Sequence, residues 1–521
     1  MKELPIGIST FPEIIQKGYL YVDKTAIIYS IVSRKKYYFL NRPRRFGKSL
    51  LVSTIEAIFT ANRELFAGLA IDSLPYDWQK HPVISISFSG IPYTTPELLE
   101  DGIKRYLKDI AAEHQIVLQK GTAGEMLKEL VKTLAISTTV VLLVDEYDYP
   151  ILQHIHDKET AKAIRGILKS FYGFIKDLDK YLRFVFFTGV SKFSNTSLFS
   201  GLNNLEDIGL DIESNTLLGY TSAEVAHYFH EHVVHMAHKI GCSKERLLED
   251  IKTWYDGYQF ALERHATKVY NPFSVMLCLT KGRFSNYWFQ TGTPSFLMTL
   301  LEEKSYPIEE FEHMEVTENN LGAFDIDAIP LGVVLFQAGY LTIQGYNQET
   351  GNYVLTYPNK ETIDSLIENV FASMTSKPEA YLNSIVSALR RAFKECDFKQ
   401  IQTILTQLYA HVPYTIHIGE EKYYQTIFYL AFKLTGAVIA VEQPTHDGRI
   451  DVVLETLGAY FIIEMKINAP AIKALEQIKY KKYYQPYESK GKKIILVGIA
   501  FDTTRKNISE LEYEELPMQK K

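Results

Sequence analysis

The segment from Tyr37 to Phe59 constrains the fold more than any other. A short apolar run, Tyr37-Tyr38-Phe39-Leu40-Asn41, enters the basic turn Arg42-Pro43-Arg44-Arg45-Phe46-Gly47-Lys48-Ser49, and an apolar-periodic stretch follows from Leu50 to Phe59. The order is strand, loop, helix. In a phosphate-binding loop of this kind the backbone N–H groups surround the phosphates, the lysine reaches the β/γ oxygens and the next hydroxyl binds Mg2+. The general pattern G-x-x-x-x-G-K-[ST] places its first glycine at position 42, where this chain has Arg42. A side chain at the entry implies a strained or reshaped loop. Arg42, Arg44 and Arg45 would add charge near phosphate. Taken alone, Gly47-Lys48-Ser49 also reads as a solvated basic turn that caps a helix.

A second feature favours the phosphate reading. Val140-Val141-Leu142-Leu143-Val144 reads as a buried parallel strand that ends in Asp145 and Glu146. In that arrangement one acid, Asp145, holds Mg2+ together with Ser49, and the next, Glu146, orients the attacking water. Val83 to Phe88 and Phe184 to Thr188 are further β-rich runs with helix-like stretches between, so a parallel sheet covered on both faces is expected. Thr188 ends the last of these strands. It is a candidate sensor of the γ-phosphate, with a plain strand cap as the alternative.

At 521 residues the chain exceeds one compact core, and roughly 150 residues per domain suggests about three units. The first is expected to span residues 1–215. From Thr221, where Thr221-Ser222-Ala223-Glu224 has capping-box spacing, the pattern turns helical, and residues 216–415 are expected to form a mostly helical middle region. Leu341 to Thr356 reads as a short β element with a turn, and Glu361 to about Leu408 as helical again. Residues 416–515 then carry a helix from Glu420 to Leu434, strands at 437–441, 450–454 and 459–465, a helix at 471–484 and a strand at 494–499. That is an α-β-β-β-α-β order.

The strand pair in this last unit carries its own chemistry. Asp451 on one strand and Glu464 on the next can approach each other, and Lys466, two residues on, shares the face of Glu464. Two carboxylates hold a hard cation such as Mg2+, and a lysine steadies the attacking water or the developing charge, which is what phosphodiester cleavage needs. A coincidental strand pair with solvated charges is the plain alternative.

Composition excludes several classes. With 46% hydrophobic and 23% charged residues the chain resembles an ordinary globular protein. A formal net charge of -6 gives no global basic field for nucleic acid, although Lys479, Lys481 and Lys482 are local anion contacts in waiting. Cys242, Cys278 and Cys396 lack C-x-x-C spacing, and no apolar run approaches the ~20 residues of a bilayer span, so a cytoplasmic protein without membrane contact is expected. The histidines from His227 to His238 crowd one helical stretch without an H-E-x-x-H pattern and read as a solvated or packed face.

Pro5 through Asp23-Lys24-Thr25, the loop Asn41 to Leu50, Val144-Asp145-Glu146-Tyr147-Asp148 and Thr188-Gly189-Val190-Ser191-Lys192-Phe193-Ser194 together resemble the AAA-ATPase-like family of bacterial and archaeal proteins. The family carries the same Arg-Pro-Arg-Arg-Phe-Gly-Lys-Ser loop, so the resemblance implies a P-loop NTPase sheet that binds ATP through Arg42, Arg45, Phe46, Gly47, Lys48, Ser49 and Leu50. Residues 416 to 500 resemble the PD-(D/E)XK nuclease superfamily, an α/β restriction-endonuclease-like fold. On that resemblance Glu421 is an extra acid on the preceding helix and Gln477 the polar residue on the following one. Two functions are expected from these parts: an ATP-gated, Mg2+-dependent nuclease acting on DNA or RNA, or a nucleotide-dependent switch whose nuclease-like unit only binds. Neither reading predicts an oligomeric state.

Overall fold

The chain packs as two units, Met1–Leu300 with Phe311–Thr362 and Leu301–Glu310 with Ile363–Lys521. The computed structural model describes all residues except 194–197, 200, 201, 203, 290–307, 326–329, 376, 378, 411–420, 446, 447 and 518–521.

The first unit is built on strands β1 (Tyr37–Asn41), β2 (Val83–Ser87), β3 (Val140–Asp145), β4 (Leu182–Gly189) and β5 (Glu206–Asp207) in the order β2-β3-β4-β1-β5. Every pair in this sheet is parallel. All six residues of β3 are buried, the signature of a parallel strand covered on both faces. The helix Lys48–Phe59 buries Leu51, Val52, Ile55 and Ile58 at i, i+3, i+4 spacing against Val141, Leu143, Phe184 and Phe186 of the sheet. Because β4 lies between β1 and β3, the carboxyl ends of these three strands come out side by side, with the basic turn after β1 and the acids after β3.

The helical middle region begins where the capping box lies: the Thr221 side chain accepts from the N–H of Glu224, and Glu224 returns to the Thr221 N–H. Helices Ser222–Tyr228, His230–Ile240, Lys244–Tyr255 and Pro272–Lys281 follow, with Val225, Phe229, Val233, Met236, Leu247 and Ile251 in a shared core. Strands β6 (Met314–Val316), β7 (Thr342–Asn347) and β8 (Asn352–Thr356) form an antiparallel sheet in the order β6-β8-β7. The β7/β8 hairpin is the β element expected there. At three residues, β6 is too short to show a period and went unforeseen.

Glu361 is wholly buried in the first unit. Its Oε1 accepts from the Trp288 N–H at 2.7 Å and from Ser274 Oγ at 3.0 Å. Burial pushes its carboxyl from 4.5 up to about 8. The folded protein therefore holds this proton more tightly than the unfolded chain, and the associated stability is complete below 4.5 and lost as pH rises through about 8. Chemical denaturation of the parent and Glu361→Gln should show a denaturation midpoint that falls for the parent between about pH 5 and about pH 9, and a flatter profile for the amide. Equal slopes would refute this assignment.

The second unit carries helices Glu379–Glu395 and Phe398–Ala410, then Glu421–Leu434 and strands β9 (Val438–Thr445), β10 (Gly448–Glu455), β11 (Ala459–Ile467), β12 (Lys493–Asp502) and β13 (Asn507–Leu516). The sheet order is β13-β12-β11-β10-β9. Strands β9 to β11 run antiparallel, while β11 and β12 are parallel, joined by a crossover that contains the helix Ala471–Tyr480. The α-β-β-β-α-β order is present, and a fifth strand, β13, was unforeseen. Glu510, Glu512, Glu514 and Glu515 give it the composition of a solvated tail, yet it pairs antiparallel with β12 over almost its whole length. Charges on such an edge discourage pairing with another chain.

Candidate functional site

The turn after β1 enters the helix Lys48–Phe59 through Gly47, which is left-handed at φ 98°, and Arg45 is also left-handed at φ 67°. A non-glycine residue there stores strain of the kind found at ligand-binding turns. The Lys48 ammonium is buried and donates to the carbonyls of Arg42 at 2.9 Å and Pro43 at 3.0 Å. Burial pulls it below the usual lysine range, against the pull of Asp145 and Glu146. Ser49 Oγ donates to Asp145 Oδ2 at 2.6 Å. Asp145 Oδ1 is buried with no hydrogen-bond partner among the described residues, and burial raises this carboxyl. A buried carboxylate oxygen left open beside a serine hydroxyl suits a hard cation such as Mg2+. Glu146, next along, is left-handed at φ 53° and faces the same cleft.

That cleft measures about 490 Å3 and is lined by Arg44, Arg45, Phe46, Gly47, Lys48, Ser49, Leu50 and Glu146. Its other wall was not foreseen as part of a site: Ile8, Leu20, Tyr21 and Val22 near the amino terminus, Leu217 to Tyr220, and Pro272, Phe273 and Met276. These residues are far apart in sequence and mostly apolar, so no local pattern marks them. Lys24, also on the cleft, reaches both carboxylate oxygens of Glu224, at 2.6 and 2.7 Å.

Two expected site residues lie elsewhere. Arg42 does not add charge to the cleft. Its side chain, 1% exposed, turns away from it: the guanidinium donates to the carbonyls of Asn41, Gly209 and Ser214 and lies over the Phe260 ring. It faces Gly209 and Ser214, after the edge strand β5, because carbonyls there need a donor. Thr188 is fully buried opposite Leu40 of β1 and is not among the residues on the cleft. The loop after β4 is instead tied to the end of β3 by a residue that had been given no role. Asp148, fully buried, accepts from the N–H groups of Val190 at 3.1 Å and Ser191 at 2.6 Å, and burial pushes its carboxyl up to about 6.

In the second unit, Val452 pairs with Ile463, so Asp451 and Glu464 stand opposite each other one step further along. Glu464 is the focus. Its Oε1 accepts from the Asp451 N–H at 3.3 Å and its Oε2 from Gln477 Nε2 at 2.7 Å, with Lys466 Nζ at 3.6 Å from Oε2. Asp451 Oδ2 accepts from the Met465 N–H at 2.7 Å. Burial and then repulsion from Asp451 push the Glu464 carboxyl well above the usual carboxylate range. Two facing carboxylates, one fully buried, can ionise together only against a nearby positive charge, which a divalent cation supplies. Mg2+ commonly takes one or two carboxylates and keeps several waters. Among the described residues no group of three or more His, Cys, Asp and Glu side chains has metal-site geometry. Glu421 opens the helix Glu421–Leu434, and its side chain lies outside the described residues.

The same two parts are recognised by comparison with known proteins. Residues 5–199 match the predicted AAA-ATPase family model, and residues 419–511 match that of the PD-(D/E)XK nuclease superfamily. The chain belongs to the AAA-ATPase-like family and carries a C-terminal domain of the PD-(D/E)XK nuclease superfamily. It is 36% identical, over 529 aligned residues and 99% of each chain, to an uncharacterized protein in the vnfD 5' region of Azotobacter chroococcum mcd 1. No solved structure matches it. Among the described residues no helix is long and apolar enough to cross a membrane.

Proposed function

We propose that this protein is an ATP-regulated, Mg2+-dependent nuclease acting on DNA or RNA phosphodiesters in the cytoplasm. The observation that carries the reading is the gathering of Asp451, Lys466 and Gln477 around the buried carboxyl of Glu464, in a chain that also pairs Ser49 with Asp145 beside Lys48. Residues 1–215 are assigned to nucleotide binding, 216–415 to coupling and 416–515 to cleavage.

In the first site Lys48 exchanges the carbonyls of Arg42 and Pro43 for phosphate oxygens, Ser49 and Asp145 hold Mg2+, and Glu146 orients water. In the second, Asp451 and Glu464 hold the divalent ion, with Glu421 as a third acid. Gln477 fixes the Glu464 carboxylate, and Lys466 presents its ammonium to the scissile phosphate. Bound Mg2+ supplies polarisation of the phosphate and a lower pKa for bound water. A second reading, a nucleotide-dependent switch with a non-cleaving nuclease-like domain, is favoured by the arginine that opens the loop at Arg42 and by the acidic net charge of -6.

Incubation of the full chain with single- and double-stranded DNA and with RNA, in Mg2+ or Mn2+, with and without ATP, separates the two. Metal-dependent cleavage that changes with ATP supports the nuclease. A folded, ATP-binding protein that cleaves nothing leaves only the switch.

A further inference from the structure

The loop Arg42 to Ser49 lacks the glycine that usually opens it, so its shape has to be imposed from outside, and Phe46, Pro43 and the Arg44 carbonyl each have a seat. Phe46 meets Tyr258 edge-on with ring centroids 4.9 Å apart. Pro43 rests on Gly339, left-handed at φ 93°, where an added Cβ would stand 2.7 Å from the proline Cβ. Arg44 is held by one hydrogen bond: the indole N–H of Trp288 donates to its carbonyl at 3.0 Å. Trp288 is fully buried, lies against Tyr340 with ring centroids 5.0 Å apart and planes tilted by 59°, and is itself fixed by its backbone N–H to Glu361.

We infer that Trp288 is a positioning residue for nucleotide binding: by holding the Arg44 carbonyl outward it turns the following amides toward the cleft, and its indole reports whether the loop is occupied. The inference rests on the nucleotide reading above. A carbonyl drawn away from the cleft leaves the left-handed Arg45 and Gly47 to direct the N–H groups of Gly47, Lys48 and Ser49 inward, the arrangement that binds anions. Occupancy also moves Lys48 off the carbonyls of Arg42 and Pro43, the two residues that precede Arg44. The Trp288 hydrogen bond therefore lies next to the part of the backbone that changes partners.

Only Trp78, Trp254 and Trp288 occur in the chain, so Trp78→Phe/Trp254→Phe leaves Trp288 as the sole indole. Emission is followed as ATP with Mg2+ is added, with binding measured independently by calorimetry. The expected result is a saturable change in emission at the calorimetric affinity. Trp288→Phe keeps an aromatic side chain but loses the indole N–H and some buried volume; it is expected to stay folded with a lower denaturation midpoint and to bind ATP about tenfold more weakly. Emission unmoved at saturation, or Trp288→Phe binding ATP as tightly as the parent, overturns the inference while the nucleotide reading stands. A parent chain that binds no ATP overturns both.

Discussion

Lys48→Ala is expected to weaken ATP binding by about 100-fold while the fold persists. The ammonium sits within reach of two carbonyls of the loop, at 2.9 and 3.0 Å, which places it where the loop curls around an anion. A hydrogen bond to a charged group contributes about 1.5–3 kcal/mol, so losing two such bonds to phosphate removes about 3 kcal/mol, or two powers of ten. Stability moves less, because the effects oppose each other. The substitution strips a donor from the Arg42 and Pro43 carbonyls, but it also removes a buried charge that its surroundings disfavour. Calorimetric titration with ATP beside thermal unfolding of the free protein checks both halves. A Lys48→Ala chain with parental affinity would show that the basic turn is a helix cap and no more.

The second large effect is expected from Glu464→Gln, a drop in Mg2+-dependent cleavage of about a thousandfold or more without loss of fold. A metal ligand contributes several kcal/mol of transition-state stabilisation, and each 1.36 kcal/mol is about tenfold in rate. The amide has nearly the same shape as the carboxyl it replaces and retains an oxygen to accept from the Asp451 N–H or from Gln477. It also ends the repulsion between Glu464 and Asp451 in the metal-free protein. Cleavage should therefore fail while the denaturation midpoint stays at or above the parental value and the affinity for ATP is unchanged. Full cleavage by Glu464→Gln would remove the second site from the chemistry. Loss of a cellular activity in a strain carrying this variant, with ATP binding intact, would weigh against the switch.

Much of the architecture was legible because its signals are local. The all-apolar Val140 to Val144 run, the strand-turn-helix at Tyr37 to Phe59 and the Thr221/Glu224 capping box each reside within one element, and the structure forms each of them. Asp451, Glu464 and Lys466 could be grouped in advance because adjacent antiparallel strands with a period of two restrict which side chains meet. The strand β13 escaped because an edge tolerates a row of glutamates that a central strand would not. Arg42 was misplaced for a different reason: its partners, Gly209 and Ser214, are remote carbonyls that no side-chain pattern reveals.

The sequence by itself determined the kinds of element, the family and the residue types able to carry phosphate and metal chemistry, since periodicity, turn residues and short spacings act over a few residues. Only the tertiary structure decided which way those side chains face. It turned Arg42 into an anchor, closed the cleft with residues from near the amino terminus and from Pro272 to Met276, and set Trp288 behind the loop Arg42 to Ser49. The reason is physical: a buried polar group takes whichever partner the packed fold brings near, and that partner can lie hundreds of residues away.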